Sequence, residues 1–223
     1  MDITFPVIGY CVAGVIFDLD GVLVHTDRMH YRAWKEQTDS LGLVFDESIN
    51  HKLRGVSRED SLRIILRDNG GIELDAQTFN EVLGGKNCRY REMLEELSPD
   101  DVEPSVRSAL RDLREEGLLL GVGSSSKNTH LILERTDLIE AFDVVVDGTM
   151  VTRSKPDPQV FVTAAELLGC PTGLCAVVED AEAGVAAARA VGMLAIAVGD
   201  IAASGAGDRN LRDMSQLVET LRA

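Results

Sequence analysis

Two carboxylates stand two residues apart in the segment Phe17-Asp18-Leu19-Asp20-Gly21, directly after an apolar run. If that run is a strand that persists through the segment, the spacing places both side chains on one side of it. One aspartate could then attack a phosphorus atom and form an acyl phosphate, while the other protonates the leaving oxygen and later deprotonates the incoming hydroxyl. Taken alone, the motif fits a solvated turn or a two-carboxylate calcium loop equally well.

Two further polar segments follow apolar runs later in the chain. The segment Gly123-Ser124-Ser125-Ser126-Lys127-Asn128 precedes a predicted helix, so its hydroxyls and free N–H groups could hold phosphate oxygens. The segment Ser154-Lys155-Pro156-Asp157-Pro158 offers a lysine that could neutralise charge shared by Asp18 and a phosphoryl group. Taken one at a time, these segments also fit an ordinary helix cap and a surface lysine before a helix.

Adjacent carboxylates, Glu179 and Asp180, follow a fourth apolar run where another helical pattern begins. Carboxylate oxygens at a strand end suit Mg²⁺, a hard cation that binds oxygen and retains some water. Capping of the next helix by Asp180 is the alternative interpretation. Each segment is ambiguous by itself, but their order along the chain is hard to obtain by chance and favours a magnesium-dependent phosphoryl-transfer site.

The elements that would position these residues alternate along most of the chain. Apolar, β-branched runs at 12–17, 118–122, 142–146, 174–178 and 194–198 predict buried parallel strands. Helical patterns follow at 106–116, 131–138, 158–168 and 181–191, with Pro158 in a first turn and Gly117, Gly169 and Gly192 after last turns. This alternation predicts a doubly wound, Rossmann-like α/β sheet whose ligands bind beyond the carboxyl ends of the strands.

The segment 27–97 breaks the alternation, because it contains helical patterns and no convincing strand. We expect helices at 28–41, after Ser57 with Asp60 as its capping-box partner, and at 76–97 with an interruption at Gly84 and Gly85. The predicted organisation is therefore a core formed by 1–26 and 98–223, with a helical cap domain at 27–97 inserted after the first strand.

The 223 residues carry a formal net charge of −15 and have a pI near 4.6. Nucleic acids and anionic membrane surfaces would be repelled at long range, so neither is expected as a partner. An anionic substrate must therefore be bound by local cations. The cysteines show no CxxC pair and no histidine at zinc spacing, which indicates reduced thiols. They are Cys11, Cys88, Cys170 and Cys175.

The apolar segment 3–17 raises the question of a targeting sequence. It follows Asp2, lacks a preceding basic region and leads directly into Asp18, so a strand explains it better. It is also too short and too interrupted to span a bilayer. We expect a cytoplasmic protein, and no pattern assigns a role to residues 1–11.

The four motifs, in this order, resemble those of the haloacid dehalogenase-like superfamily, and the resemblance covers nearly the whole chain. It implies that Asp18 is the nucleophile and Asp20 the general acid/base, and that Ser124 and Lys155 grip the transferring phosphoryl group. The implied ligands of Mg²⁺ are Asp18, the backbone carbonyl of Asp20, Asp180 and, directly or through water, Glu179.

More narrowly, the chain resembles the β-phosphoglucomutases and the related sugar-phosphate phosphatases, in which a small helical cap domain follows the first motif. The run Leu-Arg-Gly-Val-Ser-Arg-Glu-Asp-Ser-Leu at 53–62 is the most specific part of this resemblance. It implies that Arg58 binds a distal phosphate and that Thr26 and His30 bridge the hinge to Asp20. The other substrate-binding residues that it implies are Trp34, Gly55, Ser57, Lys86, Ser126, Lys127 and Asn128.

Some of these residues have plainer explanations or depart from the subfamily pattern. An ordinary helix-face histidine is the alternative for His30, and core packing is the alternative for Trp34. His25 stands where an acidic residue is common, Arg54 replaces the more usual lysine, and Ser125 replaces alanine. An imidazole at the hinge is expected to alter closure of the cap domain or its pH response.

The resemblance therefore implies an isomerase that acts on a small phosphorylated sugar with Mg²⁺ as cofactor. The expected reaction interconverts β-glucose 1-phosphate and glucose 6-phosphate through the 1,6-bisphosphate, with an aspartyl phosphate as intermediate. Two alternatives stay open: a sugar-phosphate phosphatase, and a non-catalytic module that binds metal or phosphate. A monomer is the default expectation, and motif spacing does not identify the sugar.

Overall fold

The protein is described from a computed structural model of residues 11–222. Segment 1–10 and Ala223 lie outside the described residues, and with them part of the predicted core. The strands are β1 (Gly14–Phe17), β2 (Leu119–Gly123), β3 (Val144–Val146), β4 (Cys175–Glu179), β5 (Leu194–Ala197) and β6 (Arg209–Asn210). They form one sheet in the order β3-β2-β1-β4-β5-β6, in which every neighbouring pair is parallel. The predicted parallel α/β sheet is confirmed.

Four helices lie between β1 and β2 before a fifth leads into β2. They are α1 (Asp27–Ser40), α2 (Glu47–His51), α3 (Arg58–Asp68), α4 (Ala76–Leu94) and α5 (Pro104–Glu115). The later helices are α6 (Thr129–Arg135), α7 (Gln159–Leu168), α8 (Glu182–Ala190), α9 (Gly199–Ala203) and α10 (Leu217–Leu221). Short 3₁₀ turns cover Pro99–Asp101, Ile139–Ala141, Thr172–Leu174 and Met214–Gln216. Within residues 11–222, no helix has both the length and the apolar character needed to cross a bilayer.

Strand β1 lies in the middle of the sheet, between β2 and β4. Phe17 is in register with Val122 of β2 and with Val178 of β4, so the residues that follow these positions leave the sheet at one edge. The chain runs from β1 to one side through β2 and β3 and then returns to the other side at β4. Ligand sites of open α/β sheets lie at such a reversal, beyond the carboxyl ends of the strands.

Side chains of β1 alternate between the two faces of the sheet, and helices cover both faces. Val15 and Phe17 belong to an apolar cluster with residues of α5, α6 and α10. Ile16 belongs to a second cluster with residues of α7 and α8. Because both faces are buried, β1 is a continuous apolar run and shows no alternation with polar residues.

The segment 27–94 has an apolar cluster of its own, formed by Trp34, Phe45, Ile49, Leu62, Ile65, Leu66, Val82 and Leu83. The predicted interruption of the third helix is wrong, because α4 runs unbroken across Gly84 and Gly85. A Cβ atom at Gly85 would lie only 2.5 Å from Gln37 Oε1, so this glycine lets α1 and α4 approach closely. Nothing lies within 4 Å of the equivalent point at Gly84. Neither glycine therefore marks a helix end.

Candidate active site

Asp18 and Lys155 form a buried ion pair at the carboxyl end of the sheet. The Asp18 N–H donates to the carbonyl of Val178 at 3.0 Å, which extends the pairing of β1 and β4 by one residue. The Lys155 Nζ atom lies 2.5 Å from Asp18 Oδ1 and 2.5 Å from Glu179 Oε1. Although burial opposes the shift, these two carboxylates raise the pKa of Lys155 above its ordinary value. Lys155 is therefore an ammonium at neutral pH.

Negative charge around Asp18 exceeds what this ammonium neutralises. Burial raises the pKa of Asp18 to about 7, with Glu179 and Asp20 adding to the rise and Lys155 opposing it. Burial, together with Glu179 and Asp18, raises the pKa of Asp180 to about 9. Further positive charge is needed to keep both groups fully ionised at neutral pH.

The same carboxylates form a cluster with the chemistry of a metal site. One carboxylate oxygen from each of Asp18, Glu179 and Asp180 lies within 4.8 Å of the others, and all three side chains are buried. Gly21 has a φ of 84°, and a Cβ atom there would collide with the Asp180 carboxylate, so the turn after Asp20 passes directly against the cluster. Oxygen donors with an excess of buried negative charge fit a hard divalent cation such as Mg²⁺.

Asp20 is held by two side chains from the start of α1. The Thr26 hydroxyl donates to Asp20 Oδ1, and His30 Nε2 lies 3.7 Å from the same oxygen. Burial works to raise the pKa of Asp20, but the hydrogen bond and charge of His30 and the Thr26 hydroxyl lower it overall. Asp20 is therefore a carboxylate in this state and can accept a proton.

Lys86 extends this contact on the far side of His30. Its Nζ atom lies 2.8 Å from His30 Nδ1, and 4.2 Å from the centroid of the Tyr90 ring. Lys86 is only 3% exposed. Burial, aided by the charge of Arg58, lowers the pKa of Lys86 to about 7.

Arg58 brings a second cation to the same region from the first turn of α3. Its Nε atom is buried and has no hydrogen-bond partner among residues 11–222. Burial lowers the pKa of Arg58, against the opposing effect of Glu59. Arg58 thus supplies positive charge and an unused donor, and an anion beside Lys86 would favour the ammonium form of its amine. The two side chains together suit an anion.

The loop between β2 and α6 is held internally and by the helical segment. Ser124 Oγ accepts from the Ser126 N–H at 3.1 Å, and Ser126 Oγ accepts from the Asn128 N–H at 3.2 Å. The Asn128 side chain donates to Asn87 Oδ1 of α4 at 3.0 Å. Lys127, which was expected to bind phosphate, forms an ion pair of 2.9 Å with Glu59. An anion at Lys127 must therefore compete with a carboxylate of the chain itself.

Most of the predicted site residues line one cleft, with about 890 Å³ of empty space that is partly open to solvent. They are Asp18, Asp20, His30, Trp34, Gly55, Arg58, Lys86, Ser124, Ser126, Lys127, Asn128 and Asp180. Thr26 and Lys155 are buried behind the cleft, against Asp20 and Asp18, and Glu179 contacts Lys155. Ser57 does not line the cleft and instead caps α3. Trp34 both lines the cleft and packs in the apolar cluster of the helical segment, so its position fits substrate contact and core packing alike.

Asp27, Asn87 and Tyr90 also line the cleft, although no motif indicated them. The spacing of four residues between Lys86 and Tyr90 on a predicted helix was the available signal for Tyr90. The Tyr90 hydroxyl is buried without a hydrogen-bond partner among the described residues. Asn87 had no such signal, because its partner Asn128 lies 41 residues away.

The three departures from the subfamily pattern all form contacts between segments. His25 Nε2 lies 3.3 Å from Glu103 Oε1, just before α5. The Arg54 guanidinium lies 3.9 Å from Asp27 and 3.8 Å from Asp200. The hydroxyl of Ser125 donates to the carbonyl of Gly55 at 3.0 Å.

Comparison with known proteins agrees with this arrangement. The family model described as haloacid dehalogenase-like hydrolase matches residues 12–192. A β-phosphoglucomutase of Bacillus subtilis is 39% identical over 186 residues, covering 83% of this chain and 82% of the relative. A fructose-1-phosphate phosphatase of Escherichia coli is 33% identical over 190 residues, covering 83% and 96%.

A solved structure gives the same result for the fold. The crystal structure of a β-phosphoglucomutase from Clostridium difficile has a TM-score of 0.88 and 29% sequence identity, with 92% of this chain and 93% of that chain covered. The relatives include both mutases and phosphatases. Their names agree on phosphoryl chemistry and differ in whether the product is an isomer or free phosphate. This chain belongs to the haloacid dehalogenase-like hydrolase family and is a phosphomutase or phosphatase of that family.

Proposed function

We propose that this enzyme is a phosphomutase that interconverts β-glucose 1-phosphate and glucose 6-phosphate through the 1,6-bisphosphate. The observation that carries the proposal is that two regions of one cleft are each suited to a phosphate group. Lys155 lies against Asp18 at one of them, and Arg58 and Lys86 supply positive charge at the other. A sugar with a phosphate at each end has a partner for both groups, despite the acidic composition of the chain.

Asp18 is the proposed nucleophile. Its oxygen attacks phosphorus as the bond from phosphorus to the sugar oxygen breaks, and protonated Asp20 gives its proton to the leaving oxygen. Lys155 and Ser124 hold the phosphoryl group during this transfer. Mg²⁺, held by Asp18, the Asp20 carbonyl and Asp180, with Glu179 binding directly or through water, would offset the charge shared by carboxylate and phosphoryl oxygens. The lowered pKa of Asp20 keeps its carboxylate ionised, so it is available to take the proton of the sugar hydroxyl that attacks the aspartyl phosphate.

We also propose that residues 27–97 form a cap domain. The separate apolar cluster around Trp34 and Leu62 supports this division. His30 and Lys86 come from this segment, whereas Asp20 comes from the strand end of the core. His30 Nε2 already lies 3.7 Å from Asp20 Oδ1 in this arrangement. Closure of the segment over the sheet would exclude water, so that a sugar hydroxyl is favoured over water as acceptor.

The test is an assay of purified enzyme with Mg²⁺, β-glucose 1-phosphate and a trace of glucose 1,6-bisphosphate, in which glucose 6-phosphate and free phosphate are both measured. Glucose 6-phosphate as the main product is the expected result. Release of free phosphate without isomer would overturn the mutase proposal.

The second candidate is a sugar-phosphate phosphatase, which the 33% identity to the fructose-1-phosphate phosphatase supports. The same assay run with a panel of hexose 1-phosphates separates the two candidates. A phosphatase releases phosphate in proportion to the substrate consumed. A mutase, given the sugar phosphate that it isomerises, releases free phosphate only as a minor product.

A further inference from the structure

The start of α3 is joined to the core loop before α7 by a cluster of Ser57, Asp60 and Ser154. Ser57 is the N-cap of α3, and its hydroxyl accepts from the Asp60 N–H at 3.1 Å while donating to Asp60 Oδ2 at 2.8 Å. Ser154 Oγ accepts from the Ser57 N–H at 3.2 Å and donates to the same Asp60 oxygen at 2.8 Å. Ser154 is 94 residues from Asp60 in the sequence.

This arrangement differs from a capping box in one respect: the hydroxyl of Ser154 lies between the N-cap N–H and the Asp60 carboxylate. In an ordinary capping box, the side chain three residues after the N-cap accepts directly from the N-cap N–H. Here that N–H donates to Ser154 Oγ, and the Ser154 hydroxyl in turn donates to the Asp60 carboxylate. The cap of α3 is therefore complete only when the helical segment is docked on the core.

Each serine that Asp60 joins immediately precedes a cation of the site. Arg58 follows Ser57, and Lys155 follows Ser154. The cluster therefore connects the backbone that carries Arg58 to the backbone that carries Lys155 through two hydrogen bonds. Any change in docking at Ser154 changes the separation of these two cations.

A second contact holds the same two parts together nearby. Ser125 Oγ donates to the carbonyl of Gly55 at 3.0 Å. A Cβ atom at Gly55, whose φ is 75°, would lie 3.6 Å from Lys155 Cδ, so the chain that leads to α3 passes directly over the lysine. The docked position of α3 is thus defined at two points, on the loops after β2 and after β3.

We propose that Ser154 is a positioning residue that sets the register between Arg58 and Lys155, and so between the two phosphate-binding regions. It acts through Asp60 and Ser57 and touches neither substrate nor metal. Its effect on the choice between sugar and water rests on the proposed mutase function. Without the Ser154 hydroxyl, α3 loses part of its cap and the docked segment separates from the core more often.

The experiment compares Ser154→Ala, Ser154→Thr and Ser40→Ala in the full chain. Ser40 is exposed and donates to the carbonyl of Gln37 within its own helix, so Ser40→Ala is a matched control. We expect Ser154→Ala to lower kcat/KM for β-glucose 1-phosphate about tenfold, as misplaced binding groups do. The ratio of isomer to free phosphate should fall with it. Ser154→Thr, which keeps the hydroxyl, should restore most of both.

Amide hydrogen exchange supplies a measurement that does not depend on turnover. Exchange of the Ser57 and Asp60 amides should become at least about tenfold faster in Ser154→Ala, because their docked hydrogen bonds open more often. Asp60→Ala, which removes the acceptor of both hydroxyls, should produce a similar change, and adding Ser154→Ala to it should have little further effect. A residue that only supports folding would lower all activities together and leave the ratio of products unchanged.

The outcomes separate this proposal from the mutase proposal. If the wild-type enzyme makes isomer while Ser154→Ala keeps both its product ratio and its exchange rates, the positioning role is wrong and the mutase function stands. If the wild-type enzyme makes no isomer, the mutase function is wrong, and the exchange rates still decide whether Ser154 joins the two parts. The positioning role is also wrong if Ser40→Ala reproduces the changes.

Discussion

The ammonium of Lys155 lies 2.5 Å from Asp18 Oδ1, and both residues are almost entirely removed from solvent, at 1% and 5% exposure. The same ammonium lies 2.5 Å from Glu179 Oε1. One buried cation therefore bridges two buried carboxylates and offsets their mutual repulsion. Its loss should have consequences for stability as well as for chemistry.

Lys155→Met should destabilise the protein by about 3–5 kcal/mol, because it leaves two buried carboxylates without their counter-charge. Urea unfolding monitored by circular dichroism measures the change. Added Mg²⁺ should recover part of the loss by binding the native carboxylates. Lys35→Met, at an exposed ion pair with Asp39, should change stability by less than about 1 kcal/mol. A Lys155→Met protein as stable as the wild type would contradict the assignment of this ion pair.

Asp18→Asn should abolish turnover, by about 10⁴-fold or more, because an amide cannot take up phosphorus as the carboxylate does. The folded protein should persist, since Lys155 keeps its contact with Glu179. Acid-quenched samples should contain covalently bound phosphate in the wild type and none in the variant. Turnover that persists in Asp18→Asn at the wild-type rate would rule out the aspartyl phosphate.

Lys86→Met should stabilise the protein near pH 7, and the gain should shrink as the pH rises. Burial and Arg58 lower the pKa of Lys86 to about 7, from 10.5 for a free side chain, while Asp20 opposes the shift. Between these values the unfolded chain binds a proton that the native protein does not, so native stability rises with pH by up to about 1.4 kcal/mol per unit. The loss of native stability that comes from burying the Lys86 amine is therefore greatest below pH 7 and disappears towards pH 10.5. His30 and Tyr90 are the other groups facing the amine.

Urea unfolding of the wild type and Lys86→Met at several pH values between 6 and 10 tests this linkage. The difference in unfolding free energy between the two proteins is the quantity of interest, since titrating groups away from Lys86 cancel from it. His30 and Asp20 do not cancel fully, because the charge of Lys86 contributes to their lowered pKa values. Lys35→Met, an exposed lysine, should show no such trend. A constant difference between wild type and Lys86→Met across this range would mean that the amine keeps its charge when buried.

Gly184→Ala should weaken both the fold and the acidic cluster. A Cβ atom at Gly184 of α8 would collide with the Glu179 carboxylate, which must then move away from Lys155. Overpacking of this kind costs about 1–3 kcal/mol. Displacement of a residue beside metal ligands should weaken Mg²⁺ binding at least about tenfold, as measured by calorimetry. Gly173→Ala, with nothing within 4 Å of the new atom, is the control and should bind Mg²⁺ normally.

Gly84→Ala should stabilise the protein by about 0.5–1 kcal/mol, because alanine favours an unbroken helix interior and no atom lies within 4 Å of the new methyl. Gly85→Ala should do the opposite, since its methyl would press on Gln37. Thermal unfolding of the two variants measures the contrast. Equal effects at both positions would be inconsistent with the packing of α1 against α4.

The alternation of apolar runs and helical patterns predicted the central sheet because β1 and β4 are fully buried and the other apolar strands are at least partly so. Strand β6 was missed, since Arg209 and Asn210 are both exposed and leave no apolar pattern. The helix break at Gly84 was predicted wrongly for a related reason. Glycine lowers helix propensity locally, but packing of α4 against α1 and the core overrides that preference.

Within the site, the predicted strand ends were enough to bring Asp18, Ser124 and Asp180 together, because parallel strands place their carboxyl ends at one edge of the sheet. The same reasoning could not find the partners of those residues. Glu59 pairs with Lys127 across 68 positions, and Ser154 joins Asp60 across 94. Contacts between residues so far apart in the sequence depend on how the helical segment docks on the core, and no local sequence pattern predicts that docking. The roles of the site residues remain predictions that the experiments above test.

The parallel arrangement of β1, β2 and β4 also has a practical use. Asp18, Ser124 and Asp180 follow the carboxyl ends of these strands, whereas the turns at Gly117 and Gly192 precede β2 and β5 at the opposite edge. A tether attached at either turn would fix the enzyme to a solid support with its cleft facing the solution.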